Sequence, residues 1–306
     1  MIVTVTLNPA LDVAGRCDAV RPGPKLRVEG VTTEPGGGGI NVARAVQALG
    51  GQAQALAVLG GATGAQLAAL LAAEGVALTV IPGGGETRQS LSVTDADGAQ
   101  WRFVLPGPPA PDAATLTAAM ADAAPEGAFV VLSGSQPPGL ADDFAITLAA
   151  ALPGRRLVLD TSGPALVAAI TGRGPHTLRM DRAEAEGAAG HGLPQPQDTG
   201  EFCGALVARG AAQVVIAARG ASGNVLASTG GIWHCAPPVV PVVSAVGAGD
   251  SFTAGYVLAL DRGADLAEAL RAGTAAAAAA VMTPGTQLCR REDAERLAPL
   301  CRLTRL

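Results

Sequence analysis

Pro35-Gly36-Gly37-Gly38-Gly39-Ile40-Asn41-Val42-Ala43-Arg44-Ala45 places four consecutive glycines directly before a stretch of helical spacing. Val42, Val46 and Leu49 fall on one helical stripe, Arg44 points elsewhere, and Gly50-Gly51 stops the helix. Glycines at that position allow a polar ligand to approach the backbone closely, and Asn41 can both donate and accept hydrogen bonds. A dinucleotide fingerprint would need the first strand to lead straight into the glycines and an acidic residue to close the next strand. Here the strand after the helix ends at Leu59-Gly60-Gly61, which weighs against that reading. No Gly-Lys-Ser/Thr ending follows any glycine cluster, so a Walker-type phosphate loop is absent. A flexible linker remains the plain alternative, and the helix that follows argues against it.

On either side, strand-like runs at 2–7, 53–59, 128–132, 156–160 and 213–217 alternate with helical stretches, one carrying Leu67, Leu70 and Leu71. That alternation predicts an α/β fold with a parallel sheet and flanking helices. Residues 13–33 and 87–104 break it. In the second of these, Leu91-Ser92-Val93-Thr94 and Trp101-Arg102-Phe103-Val104 flank Asp97-Gly98, the pattern of a β-hairpin. Neither segment has enough apolar residues for its own core, so the two are expected to form a small sheet folded over the main domain as a lid. Bare strand edges invite pairing, which predicts a homodimer through the lids.

A chain of 306 residues with 49% hydrophobic content can bury a large core. The net charge of -5, with no local lysine-arginine run, excludes an electrostatic footprint for nucleic acid or an anionic membrane. Cys17, Cys203, Cys235, Cys289 and Cys301 are scattered without metal-ligand spacing, and an odd count disfavours a disulfide framework. With no basic segment and long apolar core at the N-terminus, a cytoplasmic protein is expected. Ala272 to Met282 is too short and too alanine-rich for a membrane span and reads as a packed helix.

Val246-Gly247-Ala248-Gly249-Asp250-Ser251-Phe252 is the second informative stretch. The first turn of a helix offers unpartnered N–H groups and a dipole end that favours anions, and glycines admit a phosphate to them. A carboxylate would repel that phosphate, so Asp250 serves another purpose: a base for a hydroxyl, or an N-cap.

The two glycine stretches, in their order and spacing, resemble the signatures of the PfkB, or ribokinase-like, carbohydrate kinases, and the similarity covers nearly the whole chain. Lys25-Leu26-Arg27, Gly60 to Gly64, Thr87-Arg88-Gln89, Arg102-Phe103-Val104 and Ser133-Gly134-Ser135 most resemble the family's 6-phosphofructokinase branch. The resemblance implies one ribokinase-like three-layer domain over 1–306, with a central mostly parallel sheet and a β-sheet lid. It further implies phosphoryl transfer from ATP, with Mg²⁺, to the 1-hydroxyl of fructose 6-phosphate. Fructose 1-phosphate and tagatose 6-phosphate are the neighbouring acceptors. By the same resemblance Asp250 is the general base, and the Gly247, Ala248 and Gly249 amides hold the transferring phosphoryl. Asp12, Gly37, Gly38 and Asn41 then meet sugar hydroxyls. Lys25, Arg88 and Ser135 meet the acceptor's phosphate, with Arg102 placed to join them from a partner's lid.

The nucleotide side departs from the family pattern. Arg179-Met180-Asp181-Arg182-Ala183-Glu184 stands where relatives have Lys-Pro-Asn-x-x-Glu. Arg179 keeps the charge with different geometry, and Asp181 and Glu184 still offer oxygen ligands for Mg²⁺. In Ala217-Ala218-Arg219-Gly220, Ala218 lacks the hydroxyl that relatives turn toward nucleotide phosphate, leaving Arg219 and Gly220 to substitute. Thr283 and Gly285, with the small residues from Ala275 onward, align with the region that cradles adenine. These departures leave a second class open, a sugar-phosphate-binding protein without catalysis.

Overall fold

A computed structural model of the protein describes residues 1–23 and 25–306. In chain order β1 (Ile2–Thr6), β2 (Ala10–Arg16) and β3 (Glu29–Gly36) precede α1 (Gly38–Ala48), β4 (Ala53–Leu59), α2 (Gly61–Ala73) and β5 (Ala77–Pro82). The hairpin of β6 (Arg88–Thr94) and β7 (Gln100–Val104) follows. Next come α3 (Ala113–Ala123), β8 (Phe129–Ser133), α4 (Phe144–Ala151), β9 (Arg156–Asp160), α5 (Gly163–Thr171) and β10 (Thr177–Met180). Then α6 (Arg182–Ala189), α7 (Pro196–Ala208), β11 (Val214–Ala218), β12 (Asn224–Ser228) and β13 (Gly231–Ala236) lead to α8 (Ala248–Asp261), α9 (Leu266–Ala280), α10 (Arg291–Leu297) and β14 (Arg302–Arg305).

The main sheet has ten strands, ordered β14-β13-β12-β11-β10-β9-β8-β1-β4-β5. From β11 to β5 neighbouring strands are parallel, and β12, β13 and β14 extend the other edge antiparallel. Strand side chains alternate between faces, and here both faces are covered. Val3, Val5, Val130, Leu132 and Val215 enter one core, while Ile2, Phe129, Val131 and Ile216 enter another with α1, α8 and α9. Each such fully buried side chain contributes about 1.5–3 kcal/mol, so the central strands read as continuous apolar runs.

The chain builds β4 and β5 on one side of β1 and then crosses to β8, β9 and β10 on the other. This reversal opens a crevice at the carboxyl ends of β1 and β8, where open parallel sheets bind ligands. The second sheet, ordered β3-β2-β6-β7, rises from that end. It differs from the expected 13–33 and 87–104 in starting at Ala10, only three residues after β1, and in leaving residues 17–23 and 25–28 outside strands. Its β2 and β6 pair in parallel, whereas β6 and β7 form the expected antiparallel hairpin.

Ala272 to Met282 falls mostly in α9, packed against α8, and among the described residues no helix is long and apolar enough to cross a membrane. The two helices touch through glycines. A Cβ on Gly273 would sit 2.8 Å from the Phe252 carbonyl oxygen and 3.0 Å from its ring. Gly273→Ala is therefore expected to cost about 1–3 kcal/mol, read as a lower urea midpoint at unchanged slope. Gly187→Ala in α6, where an added Cβ meets nothing within 4 Å, is expected to shift the midpoint upward by up to about 1 kcal/mol.

Candidate active site

The glycines before α1 are packing devices. Gly37 is the N-cap at φ 122°, a conformation that side chains disfavour, and a Cβ on Gly38 would lie 2.3 Å from Ser133 Oγ. The first turn of α1 thus presses onto the end of β8, and Thr6 Oγ1 accepts from the Ile40 N–H at 2.8 Å. A linker would need none of these contacts. One turn on, Asn41 Nδ2 donates to Asp250 Oδ2 at 2.9 Å.

Asp250 stands in the first turn of α8, whose N-cap is Gly247 in the left-handed conformation. Its carboxylate makes no capping bond, so the N-cap reading fails. Burial raises its pKa to about 7, the charge of Asp160 adds to the rise, and the Asn41 bond and Arg179 oppose it. Asp160, at the end of β9, receives Arg179 Nη1 on both carboxylate oxygens at 3.0 and 2.9 Å, and Thr253 Oγ1 donates to it at 3.3 Å. Burial works against the Arg179 charge, but Asp160 outweighs it and holds the guanidinium charged. Its Nη2 lies under the α8 turn, 3.0 Å from where a Gly249 Cβ would be.

A cavity of about 180 Å³ joins Gly38, Ser135, Asp160, Arg179, Glu184 and Asp250. Three carboxylates around one guanidinium leave an excess of negative charge there. At the lid side, Ser135 Oγ accepts from Arg88 Nη2 at 3.4 Å and from Asn8 Nδ2 at 3.2 Å. Asp12 on β2 packs against Gly36, where a Cβ would fall 2.1 Å from its Oδ2. Burial raises the Asp12 pKa, while Ser90, Arg102 and Arg88 act to lower it.

Compared with known protein families, residues 5–293 match the one described as pfkB family carbohydrate kinase. The chain belongs to the pfkB family of carbohydrate kinases. It is 40% identical over 98% of its length, and 89% of the relative's, to "ATP-dependent 6-phosphofructokinase isozyme 2" of Mycobacterium tuberculosis. It is 33% identical over 92% of its length, and 90% of the relative's, to "1-phosphofructokinase" of Escherichia coli. Its fold matches the crystal structure of Escherichia coli phosphofructokinase-2 in complex with fructose-6-phosphate, with a TM-score of 0.90, 36% identity and 98% of each chain covered.

Within this pfkB fold the cluster brings together Asp12, Gly37, Gly38, Asn41, Arg88, Ser135, Arg179, Glu184, Gly247, Ala248, Gly249 and Asp250. Several candidates fall elsewhere. Arg219 is buried. Its guanidinium donates to the carbonyls of Leu193 and Pro194, each at 2.7 Å, and to Thr199 Oγ1. Beside it Gly220 opens a short turn in open space. The Thr283 hydroxyl is held between the Ala280 and Gln287 carbonyls at 2.7 and 2.8 Å, closing the end of α9. Gly285 accepts from Ser244 Oγ at 2.7 Å. Lys25 lines a separate cavity of about 840 Å³ with Arg16, Arg21 and Arg27 that shares no residue with the one around Asp250. Arg102 is exposed on β7. Asp181 and Glu184 are locked as a capping box: Asp181 Oδ1 accepts from the Glu184 N–H at 2.8 Å and Glu184 Oε2 from the Asp181 N–H at 2.7 Å. Only Glu184 of the two lines the cavity.

Asp160 and Asn8 were not singled out from the sequence. The signal for Asp160 was available, since a carboxylate ending the buried run Leu157-Val158-Leu159 lies at the ligand-binding end of a parallel strand. Asn8 gives no such signal beyond its place after β1.

Because the Asp250 pKa is raised on folding, the native state resists ionising it. Wild-type stability carries no such penalty below the ordinary carboxylate value near 4 and loses stability as pH rises toward about 7. Asp250→Asn is expected to raise Tm relative to wild type at pH 8, with the gain vanishing at pH 4. Thermal scans across that range check it.

Proposed function

We propose that the protein is an ATP-dependent sugar-phosphate kinase acting on the 1-hydroxyl of fructose 6-phosphate. The observation that carries this is Asp250, a carboxyl poised near 7 at the head of α8 and held by Asn41. The acceptor oxygen attacks the γ-phosphorus, its proton passes to Asp250, and the bond from that phosphorus to ADP breaks. A base with a pKa near the working pH suits this transfer. The Gly247, Ala248 and Gly249 amides meet the spreading charge on the transferred phosphoryl, with Arg179 beneath them. Asn41 orients Asp250 as well as lying beside the sugar.

Mg²⁺ fits the surplus negative charge: Glu184 and Asp160 supply hard oxygen donors, through water, and the ion would neutralise phosphate charge on ATP. Asp181, which shares the capping box with Glu184 but does not line the cavity, is the weaker ligand of the two expected. Arg88 and Ser135 hold the acceptor's phosphate, and Asp12, Gly37 and Gly38 its hydroxyls. The 40% identical relative named for fructose-6-phosphate chemistry supports this acceptor over fructose 1-phosphate.

The small sheet exposes Val31, Trp101, Phe103 and Val104, an apolar surface that a second copy would cover, giving a homodimer. Phe103→Glu is expected to shift the protein toward monomer in light scattering coupled to gel filtration. A cytoplasmic location accords with the free cysteines.

An ADP-release assay with MgATP against fructose 6-phosphate, fructose 1-phosphate, tagatose 6-phosphate and unphosphorylated sugars tests the reading. The expected result is the highest kcat/KM for fructose 6-phosphate, falling as pH drops below about 7, and a loss of at least about 10³-fold in Asp250→Asn. No turnover with any acceptor overturns it in favour of binding alone.

A further inference from the structure

Hydrogen-bond donors converge beyond the ends of β1 and β8 with too little to receive them. Asn8 Nδ2 and Arg88 Nη2 both donate to Ser135 Oγ, and among the described residues the Ser135 hydroxyl itself donates to nothing. Arg88 Nε is buried without a partner, and so is Asn8 Oδ1. Two donors sharing one serine oxygen, beside the undonated Ser135 hydroxyl and Arg88 Nε, form a site suited to an anion.

Arg88 and Ser135 already belong to the acceptor's phosphate in the reading above; Asn8 does not. The residue is only 8% exposed, and it sits between β1 and Pro9, which biases its backbone toward an extended form. The loop after β7 closes over it: a Cβ on Gly107 would lie 2.1 Å from Asn8 Oδ1 and 3.6 Å from Arg88 Cδ. With its Oδ1 unbonded, the amide's one side-chain hydrogen bond is to Ser135, so Nδ2 can pass that bond to an arriving oxygen without breaking another. The residue type suits the task. A cation there would repel Arg88, and a carboxylate would repel the ligand, whereas an amide adds a donor without charge.

We infer that Asn8 is a binding residue for the acceptor's phosphoryl group, transferring its Nδ2 hydrogen bond from Ser135 to a phosphate oxygen alongside Arg88. This rests on the assignment of a sugar-phosphate acceptor.

The test uses the full chain as wild type, Asn8→Ala, Asn8→Ser and Asn8→Asp. Initial rates are measured with MgATP and fructose 6-phosphate, and calorimetry measures binding of inorganic phosphate alone. Asn8→Ala is expected to raise the KM for fructose 6-phosphate about tenfold, and Asn8→Asp by more than about 100-fold, with the KM for MgATP within about twofold. Phosphate binding weakens in the same order. Asn8→Ser, a small polar replacement, carries the same test with a smaller rise if Asn8→Asp does not fold. An unchanged KM for the acceptor, or equal rises in both KM values together with a lower Tm, overturns the inference in favour of a structural role. A wild type that prefers unphosphorylated sugars overturns the sugar-phosphate reading and this inference with it. A wild type that prefers fructose 6-phosphate while all variants match it overturns the role of Asn8 alone.

Discussion

The Asn41–Asp250 hydrogen bond, closed between residues 209 positions apart, joins the first turns of α1 and α8 over the carboxyl ends of the central strands. Each helix brings the positive end of its dipole to the same point, and two such ends repel unless negative charge lies between them. Asp250 supplies that charge at the cost of desolvation and of facing Asp160. Its raised pKa shows that burial and the second carboxylate win over the amide bond and the guanidinium. A group so balanced gains and releases a proton near neutrality, which an exposed aspartate does not.

Arg179 makes the arrangement tenable. Removing a guanidinium and a carboxylate from water is expensive, and the pair with Asp160 recovers that cost only with good geometry. Arg179 spends one nitrogen on both Asp160 oxygens, lies 5.6 Å from the centre of the Phe252 ring, and keeps Nη2 under the α8 turn. A lysine could not fork in this way. The absence of a Cβ at Gly249 is the matching feature, since any side chain there would meet the guanidinium. The departure at 179 is thus coupled to the glycine turn seventy residues later.

What the sequence made legible follows from burial. Val3, Val5, Val130, Leu132, Val158 and Ile216 are covered on both faces of a parallel sheet, so their strands stand out as apolar runs. β5 is a partly exposed edge, β10 has four residues, and β12 to β14 return antiparallel, so periodicity left them unmarked. The glycine turns and Asp250 were readable because helix N-termini demand particular residues. Side-chain direction was not. Arg219, Thr283 and Lys25 have suitable chemistry for the roles expected of them, yet Arg219 answers the carbonyls of Leu193 and Pro194, and Thr283 those of Ala280 and Gln287. A buried cation near unsatisfied carbonyls satisfies those first, and only the folded chain reveals where they lie.

The cavity's polarity then decides how an acceptor can lie in it. Asp160, Glu184 and Asp250 line it together with Ser135, whose hydroxyl receives Arg88 and Asn8 from the lid side. A phosphate entering toward Asp250 would face carboxylates with one guanidinium already committed to Asp160. In the proposed reading the phosphate is turned the other way, toward Ser135 and Arg88, and leaves a neutral hydroxyl beside Asp250. Such an orientation would be set as much by repulsion at one end as by attraction at the other, a form of discrimination that no single contact supplies. On the reading proposed above, the same repulsion would call for a cation brought with the nucleotide, since the triphosphate alone would meet the same carboxylates.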